Sequence, residues 1–279
     1  MLEKKNSWKK IFLYIFIFAV CVVILYPYFV MFTTAAKSDT EMYAISEAAL
    51  LPHVWKWSNF VEIWSAAPVF RNLMNSVIVA GGATIVAIVC GIPAAYALSR
   101  MRFKGKGFFL GAVIMSQMFS PVVLLVGIYR LMTNLSLTNS LLGLILLNAA
   151  FNQAFAVWLL RGTFTSISSE MEQAAKIDGC NTIQSMVRVL IPVAAPGIVT
   201  ALIFVFINTW NEYTIALTLI SNDLLKPITI GINKFYGFNF IQWQYLFATS
   251  LFATIPVIIL FLLIEKHLAS GLTAGGVKG

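Results

Sequence analysis

The chain has 279 residues, 59% of them hydrophobic and only 11% charged, with a mean hydropathy of +0.86. A soluble globular domain carries about 25% charged residues, so this composition excludes an ordinary water-soluble fold and makes lipid the main solvent. The formal net charge of +8 does not signal nucleic acid, because the basic residues border apolar runs and form no compact patch interleaved with aromatics.

Apolar windows of about 20 residues mark spanning helices. Six are predicted, at 11–34, 73–98, 108–131, 140–160, 193–220 and 245–265, which makes the expected fold an all-α polytopic membrane protein. Residues 1–10 form a short basic tail ahead of the first span. That span is longer than the ~7–15-residue apolar core of a signal peptide, and no small-residue cleavage site follows it cleanly. It is therefore read as an uncleaved helix.

Residues 35–72 form the longest segment outside the spans. The run Trp55-Lys56-Trp57-Ser58-Asn59-Phe60 suits either an aromatic belt at the headgroups or a docking surface for an external protein. In the third span Gln117 and Ser120 precede Pro121, which interrupts the backbone ladder there. The fourth carries Asn148 and Asn152 one turn apart, and the fifth carries Asn208, Trp210, Asn211 and Glu212. Polar groups are costly in lipid, so they face a cavity or a neighbouring helix. Uncharged amides hydrogen-bond sugar hydroxyls while excluding ions, and an aromatic ring stacks on a sugar face. Gln117, Asn148, Asn152, Trp210 and Asn211 are the resulting candidates for a translocation path. The competing reading is interhelical hydrogen bonding, worth ~0.6 kcal/mol per contact.

Orientation follows from lysine and arginine. With the N-terminus inside, only Lys37, Lys56, Arg71, Arg130, Lys226 and Lys234 of the 19 basic residues fall outside. The positive-inside rule thus favours N-in and C-in, with the 166–192 loop in the cytoplasm. The expected organisation is a basic tail at 1–10, a six-span domain at 11–265 containing that loop, and a glycine-rich cytoplasmic tail at 266–279.

The loop is the longest strongly structured polar stretch. Ser169 with Glu172, and Asn181 with Gln184, have the spacing of capping boxes, and Gly179 stands where a helix end favours a left-handed residue. A short helix near 170–178, a sharp turn and a second helix from about 182 to Pro192 are predicted. Met171, Ala174, Ala175 and Asp178 share one face of the first helix, a low-relief surface that a protein cleft can approach closely.

Ala174-Ala175, Gly179 and the ending Val189-Leu190-Ile191-Pro192 resemble the EAA loop of permease subunits of binding-protein-dependent ABC importers. Gln173 stands where that family has its glutamate, with Glu172 one position earlier. Asn75-Ser76, the run Asn208 to Tyr213 and the tail Gly271 to Gly279 extend the resemblance to maltose-type sugar permeases over nearly the whole chain. The resemblance implies that Glu172, Gln173, Ala174, Ala175, Asp178, Gly179 and Pro192 form a coupling helix that docks on an ATPase subunit. It also implies that the tail 271–279 reaches the ATPase dimer. The implied partners are a second homologous permease, two ATPase subunits and an external solute-binding protein, in a bacterial or archaeal cytoplasmic membrane. The implied cargo is a sugar, with an oligosaccharide favoured.

The chain has no phosphate-loop pattern, and His53 and His267 form no cluster. No carboxylate pair sits mid-span as a proton relay requires. Cys21, Cys90 and Cys180 have neither metal nor disulfide spacing. No cofactor is expected in this chain, ATP and Mg belonging to the partner ATPases. A permease for another solute is the near alternative; an ion-coupled carrier that works alone, and a membrane enzyme, are the more distant ones.

Overall fold

A computed structural model describes residues 7–43, 50–237 and 240–274. The described residues are almost entirely helical, with one isolated antiparallel bridge between Tyr236 and Ile241. In chain order the helices are α1 (Ser7–Ala35), α2 (Asp39–Tyr43), α3 (Asn59–Ala66), α4 (Val69–Arg100), α5 (Lys106–Ser116), α6 (Pro121–Asn134) and α7 (Leu141–Ser166). They continue with α8 (Glu170–Ile177), α9 (Thr182–Ser185), α10 (Ile191–Val193), α11 (Ala195–Trp210), α12 (Thr214–Leu219), α13 (Ile228–Gly231) and α14 (Trp243–Ala274).

Of these, α1, α4, α7 and α14 are long and apolar enough to cross a membrane. The third predicted span is two helices, because residues 117–120 leave the helical ladder and Pro121 restarts it at the first position of α6, where a missing N–H costs nothing. The fifth is broken as well. The chain bends by 79° between the helical run Thr182–Val193 and α11, and α11 ends at Trp210 before α12 begins. The last helix runs past its predicted end at 265 as far as Ala274, since Glu265-Lys266-His267 contains no helix breaker. Residues 1–6 and 275–279, which include most of the N-terminal tail and the end of the glycine-rich one, lie outside the described residues.

The chain divides into two compact units. One comprises residues 1–69 and 232–255, the other 70–231 and 256–279. In the first, the apolar stretch of α1 is unburied up to its last three residues, Thr33 to Ala35, which are buried. The amide of Asn59 donates to the carbonyls of Ala35 and Lys37 at 2.8 Å each and so caps the end of α1. Trp55 and Trp57 stack at 5.4 Å, with Phe32 and Phe60 beside them. Glu62 accepts from the Tyr245 hydroxyl at 2.6 Å. That contact and the Ser58 hydroxyl hold its carboxyl below the usual glutamate range.

The core of the second unit is built on small residues. Ala83, Ala87 and Ala95 of α4, Ala149 and Ala156 of α7, and Ala194 with Ala201 around α11 are all buried in one cluster with Leu160, Phe164 and Leu190. Without a hydrophobic drive between helices in lipid, close backbone approach supplies the attraction, and small residues permit it. The approach is close at Gly197, where a Cβ would lie 2.3 Å from Cγ2 of Thr163.

A candidate coupling loop and its surroundings

The 166–192 loop is assembled by local hydrogen bonds. Beyond α8, Gly179 takes φ +89°. Its N–H donates to Lys176 at 3.1 Å, and that of Cys180 reaches back to Ala175 at 2.9 Å. This is a Schellman-type end, which requires a left-handed residue at the turn. Asn181 then opens α9 with a complete capping box: Gln184 N–H donates to Asn181 Oδ1 at 2.8 Å, and Asn181 N–H donates to Gln184 Oε1 at 3.0 Å.

Two expectations are corrected. The Ser169–Glu172 box does not form, since the Ser169 side chain makes no cap and the first turn is held instead by Glu170 N–H donating to the Ser168 hydroxyl at 3.2 Å. The second helix does not stop at Pro192. It widens into a π-helical stretch at Met186–Leu190 and continues through Pro192 to Val193. The proline lacks an N–H, and its ring crowds the carbonyl four residues back; a wider turn relieves both problems.

The predicted face of α8 also turns. Ala175 and Glu172 point inward, at 8% and 5% exposure, whereas Ile177 is 86% exposed and Met171 44%. The outward surface therefore carries Met171, Gln173, Ala174, Ile177 and Asp178, with Gly179 at its end and Pro192 exposed nearby. Glu172 turns away because its charge finds a partner. Arg100 Nε lies 2.5 Å from Oε1, and the Tyr96 hydroxyl donates to Oε2 at 3.0 Å. Arg100 also donates through Nη2 to the Ile167 carbonyl at 2.8 Å. A recess of about 280 Å³ opens beside this group, lined in part by Ser169, Gln173, Lys176 and Thr182. Read by charge alone, Arg100 is an orientation signal, and no local spacing links it to Glu172.

The translocation candidates separate into two environments. Asn148, Asn152 and Trp210 are buried. Asn152 lies between α7 and α11, donating to the Asn148 carbonyl at 2.9 Å and to the Thr209 hydroxyl at 3.4 Å, and accepting from Asn208 Nδ2 at 2.9 Å. Trp210 stacks on Phe206 at 5.7 Å. Gln117 and Asn211 are exposed. Gln117 donates to the Phe151 carbonyl at 3.3 Å, at the edge of a mostly apolar cavity of about 540 Å³ between the broken third span and α7. Glu212 is structural: its carboxylate accepts from the N–H groups of Ile215 and Ala216 and so starts α12.

The segment after α12 is fastened by residues whose role sequence reading leaves open. Asn75 donates to the carbonyls of Leu224 and Lys226, and Ser76 accepts from Ile228 N–H. Asn139, at φ 52°, accepts three hydrogen bonds from Ser221 and Asn222 on one oxygen. Its signal is the position after Thr138 in a polar turn, which marks a loop without naming its partner.

Residues 87–273 match the family model described as the binding-protein-dependent transport system inner membrane component. The chain belongs to this family of ABC transporter permeases. Membership places it in the inner membrane and agrees with the resemblance carried by the 169–192 loop. The chain is 34% identical to the sulfoquinovosyl glycerol transport system permease protein SmoH of Agrobacterium fabrum, over 91% of its own length and 89% of that protein's. It is 28% identical to the trehalose/maltose transport system permease protein MalG of Thermococcus litoralis, over 99% of each. A crystal structure of a bacterial ABC transporter involved in alginate import superposes on 96% of this chain and 99% of its counterpart. The TM-score is 0.80 and the identity 22%, a likeness of fold.

Proposed function

We propose that this permease subunit forms half of the membrane channel of an ATP-driven sugar importer, with an oligosaccharide as the favoured cargo. It pairs with a second, homologous permease, two ATPase subunits that hold ATP and Mg, and an external solute-binding protein. The names of its relatives, which concern sulfoquinovosyl glycerol and trehalose/maltose, support the cargo class. In this reading the chain crosses six times with both ends inside, α5 with α6 and α11 with α12 each forming one broken span. The exposed Gln117 and Asn211 border the path, while Asn148, Asn152 and Trp210 pack it.

The observation that carries the reading is α8. It is a short helix closed by a left-handed glycine, presenting Met171, Ala174 and Ile177 outward from a unit that does not cover them. Exposed apolar residues around a small alanine suit insertion into an ATPase cleft. The test is purification of the assembled transporter carrying Ala174→Glu or Gly179→Glu. Both variants should insert in the membrane and lose the co-purifying ATPase and solute uptake. Normal ATPase association and uptake in both would refute the docking role, and uptake of a non-sugar solute alone would refute the cargo class.

A further inference from the structure

A helix as short as α8, Glu170–Ile177, has little stability of its own, since isolated helices below ~12–15 residues are marginal. Its placement must come from ties to the rest of the unit. The end of α4 supplies two of them, and a third contact fixes that end to α7. The guanidinium of Arg100, the last residue of α4, meets Glu172 in the first turn of α8 through Nε at 2.5 Å. Through Nη2 it meets the Ile167 carbonyl, at the C-terminal cap of α7, at 2.8 Å. Tyr96, one turn earlier on α4, closes the second carboxylate oxygen at 3.0 Å. The side chains of Arg100 and Glu172 are 15% and 6% exposed, so water screens the pair little.

We propose that Arg100, Glu172 and Tyr96 form a charged strut that makes α8 move as one body with the ends of α4 and α7. Arg100 and Tyr96 are positioning residues: they act through Glu172, whose carboxylate they hold on the inward side of α8. The proposal rests on the docking of α8 on an ATPase subunit and adds what transmits motion once it is docked. A planar guanidinium suits this better than an ammonium, because it grips a carboxylate and a carbonyl simultaneously in fixed geometry. Removing either charge strands the other in a poorly solvated site, which loosens the tie while leaving every residue on the outward face of α8 unsubstituted.

The experiment uses the complete transporter in proteoliposomes with its binding protein and cargo. The variants are Glu172→Gln, Arg100→Gln, Arg100→Lys, Tyr96→Phe and the exchange Arg100→Glu/Glu172→Arg. ATPase co-purification and basal hydrolysis read docking; cargo-stimulated hydrolysis and uptake read transmission. Both glutamine variants should keep the ATPase bound and lose cargo stimulation by at least about fivefold, and the exchange should recover about half of the loss, as expected for directly coupled residues. Arg100→Lys should fall between wild type and Arg100→Gln, having lost the carbonyl contact. If the glutamine variants fail to accumulate, Tyr96→Phe carries the test, with stimulation reduced about twofold at unchanged ATPase association. Wild-type stimulation in every single variant overturns the strut, as does loss of ATPase binding in Glu172→Gln, which would place that side chain at the partner. Failure of the docking reading is separate: it shows in Ala174→Glu, whose strut is intact.

Discussion

Replacing Asn152 and Asn208 by leucine, singly and together, separates packing from passage inside the membrane. Asn208 Nδ2 donates to Asn152 Oδ1 at 2.9 Å, and Asn152 is 5% exposed. Leucine at 208 leaves that buried oxygen without its interhelical donor. Interhelical hydrogen bonds in membranes average ~0.6 and reach ~1.7 kcal/mol, and an orphaned buried acceptor adds a desolvation cost of about 1–3 kcal/mol. Asn208→Leu should therefore cost about 2–4 kcal/mol. Asn152→Leu should cost more, because it also deprives the Thr209 hydroxyl and the Asn148 carbonyl of a partner. The double variant should cost less than the two single costs added, by about 1 kcal/mol, because neither partner is then left unpaired. The assay is the apparent thermal midpoint of the assembled transporter in mild detergent at one heating rate, where 1 kcal/mol corresponds to a shift of about 2–4 °C. Uptake per folded molecule should stay near wild type in all three. Strict additivity, or lost uptake at an unchanged midpoint, would refute the assignment of Asn152 to packing and return it to the path.

Gly143→Ala should abolish accumulation of the folded chain, measured as monodisperse yield, because its Cβ would lie 2.2 Å from the Leu137 carbonyl oxygen, a backbone atom that cannot rotate away. Gly179→Ala should destabilise the protein by about 1 kcal/mol or more through left-handed strain, read as a lower thermal midpoint, while keeping ATPase association, since open space surrounds that position. Asn139→Ala removes the acceptor of three hydrogen bonds and should speed proteolysis within 220–226 without affecting insertion. Glu62 has its carboxyl held down by Tyr245 and Ser58, so its contribution is present above the ordinary glutamate value and disappears as pH falls through its lowered one. The midpoint difference between wild type and Glu62→Gln should accordingly vanish in acid.

The parts of the fold that sequence makes legible are those whose partners are close along the chain. Asn181 and Gln184 cap each other across three residues, Gly179 needs only its own backbone to be left-handed, and Pro121 breaks the third span by lacking an N–H. Each is decided by chemistry within one turn. The hydrophobic windows are legible for the same reason, although the break between Trp210 and Thr214 falls at Asn211 and Glu212, polar residues that a window average absorbs into one span. Asn75 and Ser76 stand out only by resemblance, since the carbonyls and N–H they serve lie some 150 residues away.

Glu172 shows why local spacing fails at the loop itself. Three residues after Ser169 it has the address of a capping-box acid, and a side chain so placed normally reaches back to an exposed backbone N–H. A neutral donor at a wet helix end offers a carboxylate about 1 kcal/mol. A guanidinium in a poorly solvated site offers a full opposite charge that water screens little, and here a tyrosine hydroxyl completes the set. The long-range partner wins, and with it the orientation of the whole helix: Glu172 and Ala175 are drawn inward together, one turn apart, and Ile177 is carried out. The outward face of α8 is thus selected by a residue 72 positions earlier in the chain, and exchanging the two charges tests that choice more directly than any substitution on the face it exposes.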